Sequence, residues 1–349
     1  MQHLFTNQSV LTNILIFLLF AAGIWFAGSR LTYLADAVTD RYKMAASTVG
    51  LVFLALATSL PEVVTTMTAA SNQNAELVLN NLFGGIALQT AILAVADFWA
   101  KGAISNYPRK ANHALEATLL VGLLAGLQVA FIMNEPISFM NVGLGSMVIA
   151  CAYFGGIQLL RWYDGSSDWV PVDLPEADDA LFERGILAIA DKTSSTWLVI
   201  WGVTACLAIL VFGILIVDIS EVLADQTGLG SGFFGVTFLA AATSLPELST
   251  TVTAVRMGAY TLAISNVFGS NLIMVVLIFP ADILHTNGPI LASAQGATHL
   301  AVASGVLVTT IYLIGLIVRR KPRVGRVGID SFLVLSVYAI SLFLYYYLK

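Results

Sequence analysis

The chain carries a second copy of itself. Displaced by 185 positions, Phe53-Leu54-Ala55 falls on Phe238-Leu239-Ala240, and Thr58-Ser59-Leu60-Pro61-Glu62 falls on Thr243-Ser244-Leu245-Pro246-Glu247. The register holds without a gap. Thr65, Thr66, Thr68 and Ala69 meet Thr250, Thr251, Thr253 and Ala254; Asn81 meets Asn266, Phe83-Gly84 meets Phe268-Gly269, and Ala96-Asp97 meets Ala281-Asp282. Shared hydrophobicity aligns Leu with Ala, but it does not align Pro, Glu, Asn, Gly and Asp at one offset. The fold must therefore be built from two like units that meet at an interface.

Ten apolar stretches, each long enough to cross hydrocarbon as a helix, lie near 10–29, 46–70, 76–97, 112–133, 139–160, 196–219, 232–256, 260–282, 297–318 and 329–348. Only 11% of the 349 residues are charged and 58% are hydrophobic, too little polar surface for a soluble domain. Fifteen of the 16 Lys and Arg residues fall in odd-numbered loops, which places those loops in the cytoplasm and both termini on the opposite side. The expected fold is an all-α integral membrane protein of ten helices in two five-helix repeats. They comprise residues 1–160 and 196–349, joined by a polar cytoplasmic linker, 161–195. Five is odd, so the second repeat inserts upside down relative to the first, the arrangement of secondary transporters. A cell membrane, plasma or inner, is the expected location. Charges this sparse exclude a nucleic-acid footprint. Cys151 and Cys206 lie in apolar runs with no His at metal spacing, which argues against disulfides and zinc.

Pro61 and Pro246 sit inside predicted helices. Proline has no amide to give and its ring crowds the preceding turn, so carbonyls at Ala57 and Thr58, and at Ala242 and Thr243, are freed. At membrane depth such carbonyls need a polar cavity. Beside each proline stands a glutamate, with Thr58, Ser59, Thr65 and Thr66, or Thr243, Ser244, Ser249, Thr250 and Thr251, within a turn. On a continuous helix, positions 58, 62, 65, 66 and 69 share one face. A carboxylate at the bilayer centre costs roughly 2.5–3.5 kcal/mol on insertion scales, and no Lys or Arg lies in the interior of any predicted span to offset it. A proton or a bound cation must do so. Two glutamates among neutral oxygens match the hard, oxygen-rich cage that Ca2+ accepts, whereas no Cys, Met or His of the motifs favours a soft metal. A protonated glutamate bonded to a carbonyl is the alternative for either residue alone. Gly84, Gly85 and Gly269 read as close helix contacts, and Asp97, Asp282, His113 and His299 as residues of the membrane interface.

At its two Thr-Ser-Leu-Pro-Glu motifs and at Asn266-Val267-Phe268-Gly269-Ser270-Asn271 the chain resembles the calcium/cation antiporter superfamily, in its sodium/calcium exchanger branch. The resemblance covers the ten-helix chain, with the family's two long repeats on about 50–98 and 235–283. It implies alternating access, with Ca2+ between Glu62 and Glu247 and Na+ in flanking sites. Thr58 and Thr243 would offer backbone carbonyls, Ser59 and Ser244 sodium-side hydroxyls, and Ser270 and Gln89 further oxygen ligands; the first and sixth helices would slide as the gate. There are departures. Ala57 and Ala242 replace the glycines that usually precede the motif. Where the family reads Gly-Ser-Asn followed by a final Asn or Asp, the first repeat has Gly85-Ile86 and then Gln89, and the second keeps Ser270-Asn271 but ends on Met274.

The function expected is a secondary antiporter exchanging Ca2+ for a monovalent cation, Na+ by resemblance. The ions are cargo, with no resident cofactor. Proton coupling is the nearest alternative and a passive cation channel a more distant one. An enzyme is not expected, because Ser59 and Ser244 have no nearby His or Lys on their own helix.

Overall fold

The computed structural model describes residues 3–42, 44–108, 111–166, 195–227, 235–319 and 323–347. Its main helices are α1 (Val10–Tyr42), α2 (Ala46–Thr58), α3 (Leu60–Ser71), α4 (Ala75–Ala96), α5 (Asn112–Met133) and α6 (Leu144–Ser166). The second half supplies α7 (Ser195–Thr227), α8 (Ala240–Thr243), α9 (Leu245–Arg256), α10 (Tyr260–Val276), α11 (Ile278–Leu284), α12 (Gly296–Val318) and α13 (Ile329–Tyr347). Among the described residues eight helical stretches are long and apolar enough to cross a bilayer, α10 and α11 counting as one, and the bent pair α2/α3 makes nine. The corresponding pair α8/α9 follows residues 228–234, which lie outside the description. So does most of the expected linker, 167–194, while its first residues continue α6 to Ser166.

Three expected boundaries are corrected. The helices α1 and α7 each run 33 residues, about 50 Å at 1.5 Å per residue, far beyond the apolar spans 10–29 and 196–219. Neither Arg30–Tyr42 nor Ser220–Thr227 contains Gly or Pro, so nothing stops the helix when the apolar run ends. The fifth span begins with a hairpin rather than a helix: Ser138 pairs with Gly143 and Phe139 with Val142, and α6 starts at Leu144. A matching hairpin, Arg323 with Gly328 and Val324 with Val327, precedes α13.

The spans containing α4 and α10 form the centre, each with 89% of its most apolar window inside the protein, against 17% for α1 and 28% for α7. On the outer helices Leu11, Leu18, Phe26, Val199 and Val203 are exposed, an apolar surface suited to lipid rather than water. The helix α1 packs along α7 and against α9, and α7 packs on α3. Glycines 28 and 213, related by the same 185-residue offset, make these approaches possible. A Cβ on Gly213 would stand 2.5 Å from Cγ of Pro61, and one on Gly28 would collide with the Ser249 hydroxyl. Each outer helix therefore crosses directly over the proline motif of the other half.

Asp97 and Asp282 end their spans, as expected, but they do not face the interface: their exposures are 0% and 1%. Asp97 accepts the Gly328 amide at 2.6 Å and the Ile104 amide at 2.8 Å, and Ser331 also bonds to it. Asp282 accepts Gly143 N–H at 2.8 Å, Ile290 N–H at 2.7 Å and the Ser146 hydroxyl at 2.5 Å. Each repeat's aspartate thus holds the hairpin of the other repeat. Next to the first hairpin Glu135 takes the Gly145 amide at 3.0 Å; burial pushes its carboxyl up and that amide opposes the shift. Removing the carboxyl leaves the Gly143 and Ile290 amides and the Ser146 hydroxyl without their acceptor, at about 1–3 kcal/mol for each, so Asp282→Ala should cost at least about 3 kcal/mol, read as a lower unfolding temperature of the purified protein in detergent. An unchanged unfolding temperature would show that the aspartate does not hold the hairpin.

Candidate cation-binding site

The expected straight second span is broken. The axes of α2 and α3 meet at 49°, and Ser59 (φ −80°, ψ 7°) is the joint. The Ser59 amide still reaches Ala55 O at 2.9 Å and Val63 N–H reaches Ser59 O at 3.0 Å. Pro61 cannot donate, so the carbonyls of Ala57 and Thr58 fall out of the ladder between them. The second motif repeats this: Ser244 (φ −84°, ψ 8°) joins α8 to α9, with Ser244 N–H on Ala240 O and Leu248 N–H on Ser244 O, both at 3.0 Å. Stretches of π-helix, Val49–Leu54 and Gly235–Leu239, lead into both breaks. Thr58 therefore does not share a helical face with Glu62, Thr65, Thr66 and Ala69; it ends one helix and they belong to the next, although all five are buried.

Both glutamates are 0% exposed. Ser59 of the first motif donates to Glu247 Oε1 at 3.4 Å, and Ser270 donates to the same oxygen at 3.2 Å, with the Thr58 hydroxyl 3.4 Å from Ser270. Thr58 bears on Glu247 and, reciprocally, Thr243 lies beside Glu62, which feels the Glu247 charge. The structure thus brings Thr58, Ser59, Glu62, Thr243, Glu247 and Ser270 to one buried place, shared by both repeats. Three of the four carboxylate oxygens, both of Glu62 and Oε2 of Glu247, complete no hydrogen bond, and neither does the Ser244 hydroxyl. Gln89 is fully buried on α4 with both amide atoms unbonded. Orphaned groups are scarce in folded interiors, and the three carboxylate oxygens and the Ser244 hydroxyl all belong to the two motifs. No three His, Cys, Asp or Glu side chains converge among the described residues, so the donor set is two carboxylates with neutral oxygens.

Other hydroxyls of the motifs serve the helices. Ser249 and Thr250 both donate to Pro246 O at 2.9 Å, and Asn266 reaches the Thr250 hydroxyl at 3.0 Å. Between the central helices Asn271 donates to the Thr90 hydroxyl at 3.2 Å, and Thr298 donates to Asn80 Oδ1 at 2.7 Å. Thr90, Asn80 and Thr298 were not singled out from the sequence; isolated polar residues in apolar runs are the signal that could have found them. Of the expected close contacts, Gly269 does pack on the α2 segment, where its Cβ would stand 2.5 Å from Leu51 O. His113 is a correction. It opens α5 but is buried, with Nδ1 2.9 Å from Glu116 Oε2, and Ser265 of α10 lies 3.2 Å from that nitrogen and 3.1 Å from Glu116 Oε1. His299, half-buried, packs on Phe131 and Gln128.

The sequence matches the family described as sodium/calcium exchanger protein over residues 12–162 and 197–347, most of the chain and both halves of it. The chain belongs to that family. It is an integral membrane protein, and its relatives include one named a putative antiporter and one named a sodium/calcium exchanger. This exchanger-family chain is 23% identical over 302 residues to the inner membrane protein YrbG of Escherichia coli K12, covering 86% of this chain and 87% of that one. It is 24% identical over 308 residues to the putative antiporter CaxA of Alkalimonas amylolytica, covering 87% and 89%. A shorter stretch of 76 residues, 22% of each chain, is 40% identical to the sodium/calcium exchanger MaX1 of Methanosarcina acetivorans. Its backbone follows that of the sodium-calcium exchanger NCX_Mj soaked with Na+ and Sr2+, with a TM-score of 0.67, 15% identity and coverage of 96% and 99% of the two chains. At that identity the likeness speaks for the fold alone.

The polar contacts between the central helices hold the cavity wall. Thr90→Val would leave the Asn271 amide without its acceptor in a dry interior, a loss of about 1–3 kcal/mol. A lowered denaturation midpoint checks this; no change would mean that the contact does not support the wall.

Proposed function

We propose that this protein is a secondary antiporter that exchanges Ca2+ for Na+ by alternating access, with the cations held between the two Thr-Ser-Leu-Pro-Glu motifs. The observation that carries the reading is the buried pair Glu62 and Glu247, the first feeling the charge of the second, with three carboxylate oxygens that complete no hydrogen bond. Among the described residues the groups acting on them are hydroxyls, backbone amides and, for Glu62, the Glu247 charge, with no basic side chain among them. One dication balances both, and the Thr58, Ser59, Thr243, Ser244, Ser270 and Gln89 oxygens fill out the six to eight ligands Ca2+ takes. Freed Ala57, Thr58, Ala242 and Thr243 carbonyls suit the same ion. An empty, charged pair is too costly to carry between access states, which makes exchange obligatory. In this reading the chain has ten transmembrane helices as two inverted repeats, 1–160 and 196–349, joined by a cytoplasmic linker, with both termini outside and α1 and α7 as the moving pair.

The test is Ca2+ uptake by proteoliposomes holding the full chain, driven by an imposed Na+ gradient or by a pH gradient. The Na+ gradient should drive uptake, and Glu62→Gln or Glu247→Gln should each reduce it to the level of empty vesicles. Uptake that follows only the pH gradient would replace Na+ with H+ as the partner. Flux indifferent to both gradients would point to a channel.

A further inference from the structure

A duplicated site permits a comparison of its own two sides. The 185-residue offset pairs Glu62 with Glu247, Thr58 with Thr243, Ser59 with Ser244, Gly85 with Ser270, and Gln89 with Met274. On one side Glu247 Oε1 receives hydroxyls from Ser59 and Ser270. On the other side the position matching Ser270 is Gly85, which has no side chain, and neither oxygen of Glu62 is bonded. The space over Gly85 is not free. A Cβ there would stand 2.7 Å from Cε and 3.2 Å from Sδ of Met274, itself 0% exposed. The thioether of α10 therefore fills the volume in which a counterpart of the Ser270 hydroxyl would sit. By the same offset the positions that match Gly85 and Met274 are Ser270 and Gln89, a hydroxyl and a fully buried amide whose Oε1 and Nε2 are both unbonded.

We propose that only one of the two repeat-related flanks of the carboxylate pair accepts a small monovalent cation. That flank is formed by Ser59, Ser270, Glu247 and Gln89, and Met274 seated on Gly85 closes the other. The inference rests on the antiport reading and specifies its monovalent partner's site. A hard cation such as Na+ needs oxygen ligands, and a thioether is a soft, uncharged one. On the open flank the Gln89 carbonyl oxygen has no competing donor. On the closed flank a methyl group occupies the ligand's place, and Glu62 is left to the shared central dication. Exchange then involves fewer monovalent ions than a site with two equal flanks would carry.

The experiment titrates Na+ in two ways on the full-length protein: Ca2+ uptake by proteoliposomes against internal Na+, and the unfolding temperature in detergent against NaCl, with choline chloride as the ionic control. The helical circular-dichroism signal and a cooperative unfolding transition report whether each variant is folded. Gln89→Leu should raise the Na+ concentration for half-effect at least tenfold in both titrations while keeping the wild-type helical signal and a cooperative transition. The double variant Gly85→Ser with Met274→Asn, which removes the plug and restores two oxygens, should steepen the Na+ dependence by about one ion in its Hill slope. A folded Gln89→Leu protein with wild-type Na+ dependence would overturn the proposal, as would a folded double variant whose slope is unchanged. Wild-type vesicles whose Ca2+ uptake ignores Na+ would instead overturn the antiport reading, and the stability titration would still decide whether the Gln89 flank binds Na+.

Discussion

Two carboxylates enclosed in an apolar medium, close enough to repel and without a basic neighbour, set the terms for the whole molecule. Insertion of each costs roughly 2.5–3.5 kcal/mol, and placing them together adds repulsion. A fold that keeps such a pair must supply its counter-charge from solution or hold protons on it. The rest of the interior is consistent with the first solution: the donors around Glu62 and Glu247 are hydroxyls, freed carbonyls and an amide, all hard and neutral. Proline contributes to this, because the breaks at Ser59 and Ser244 leave backbone carbonyls outside the helical ladder beside both glutamates.

The duplication places the pair. Each motif leans on the other through Ser59 to Glu247 and Thr243 beside Glu62, and each half is overlaid by a long helix that Gly28 or Gly213 lets ride against the opposite proline. At these two crossings the contacting groups are small, Gly28 on Ser249 and Gly213 on Pro61, while Ile24, Ile216 and Phe212 fill the packing between α1 and α7 themselves.

Much of this was legible in the sequence. The repeat offset alone identified both glutamates, and the apolar runs located most helices to within a turn. What was missed has local physical causes. The bend at Ser59 changed which residues share a face, since periodicity treats a helix as straight where Pro61 removes a bond. The lengths of α1 and α7 were underestimated because hydropathy measures the membrane and not the helix, which continues through Arg30 and Asp36 into a polar zone. Asp97, Asp282 and His113 read as interfacial because they stand at span ends. Their partners, hairpin amides and Ser265, are remote in sequence and leave no periodic trace. Gln89 and Met274 were visible as departures, but that the Met274 methyl lies over Gly85 required the packing of α4 against α10.

The crossed aspartates also bear on how the chain assembles. Asp97 takes a backbone amide 231 residues further along, so during synthesis it has only the nearby Ile104 amide until the hairpin before α13 has been delivered. The first half is accordingly an open intermediate whose closure comes only with the final hairpin. Truncation near the C-terminus would strand the N-terminal half as an incompletely closed species, a natural target for membrane quality control.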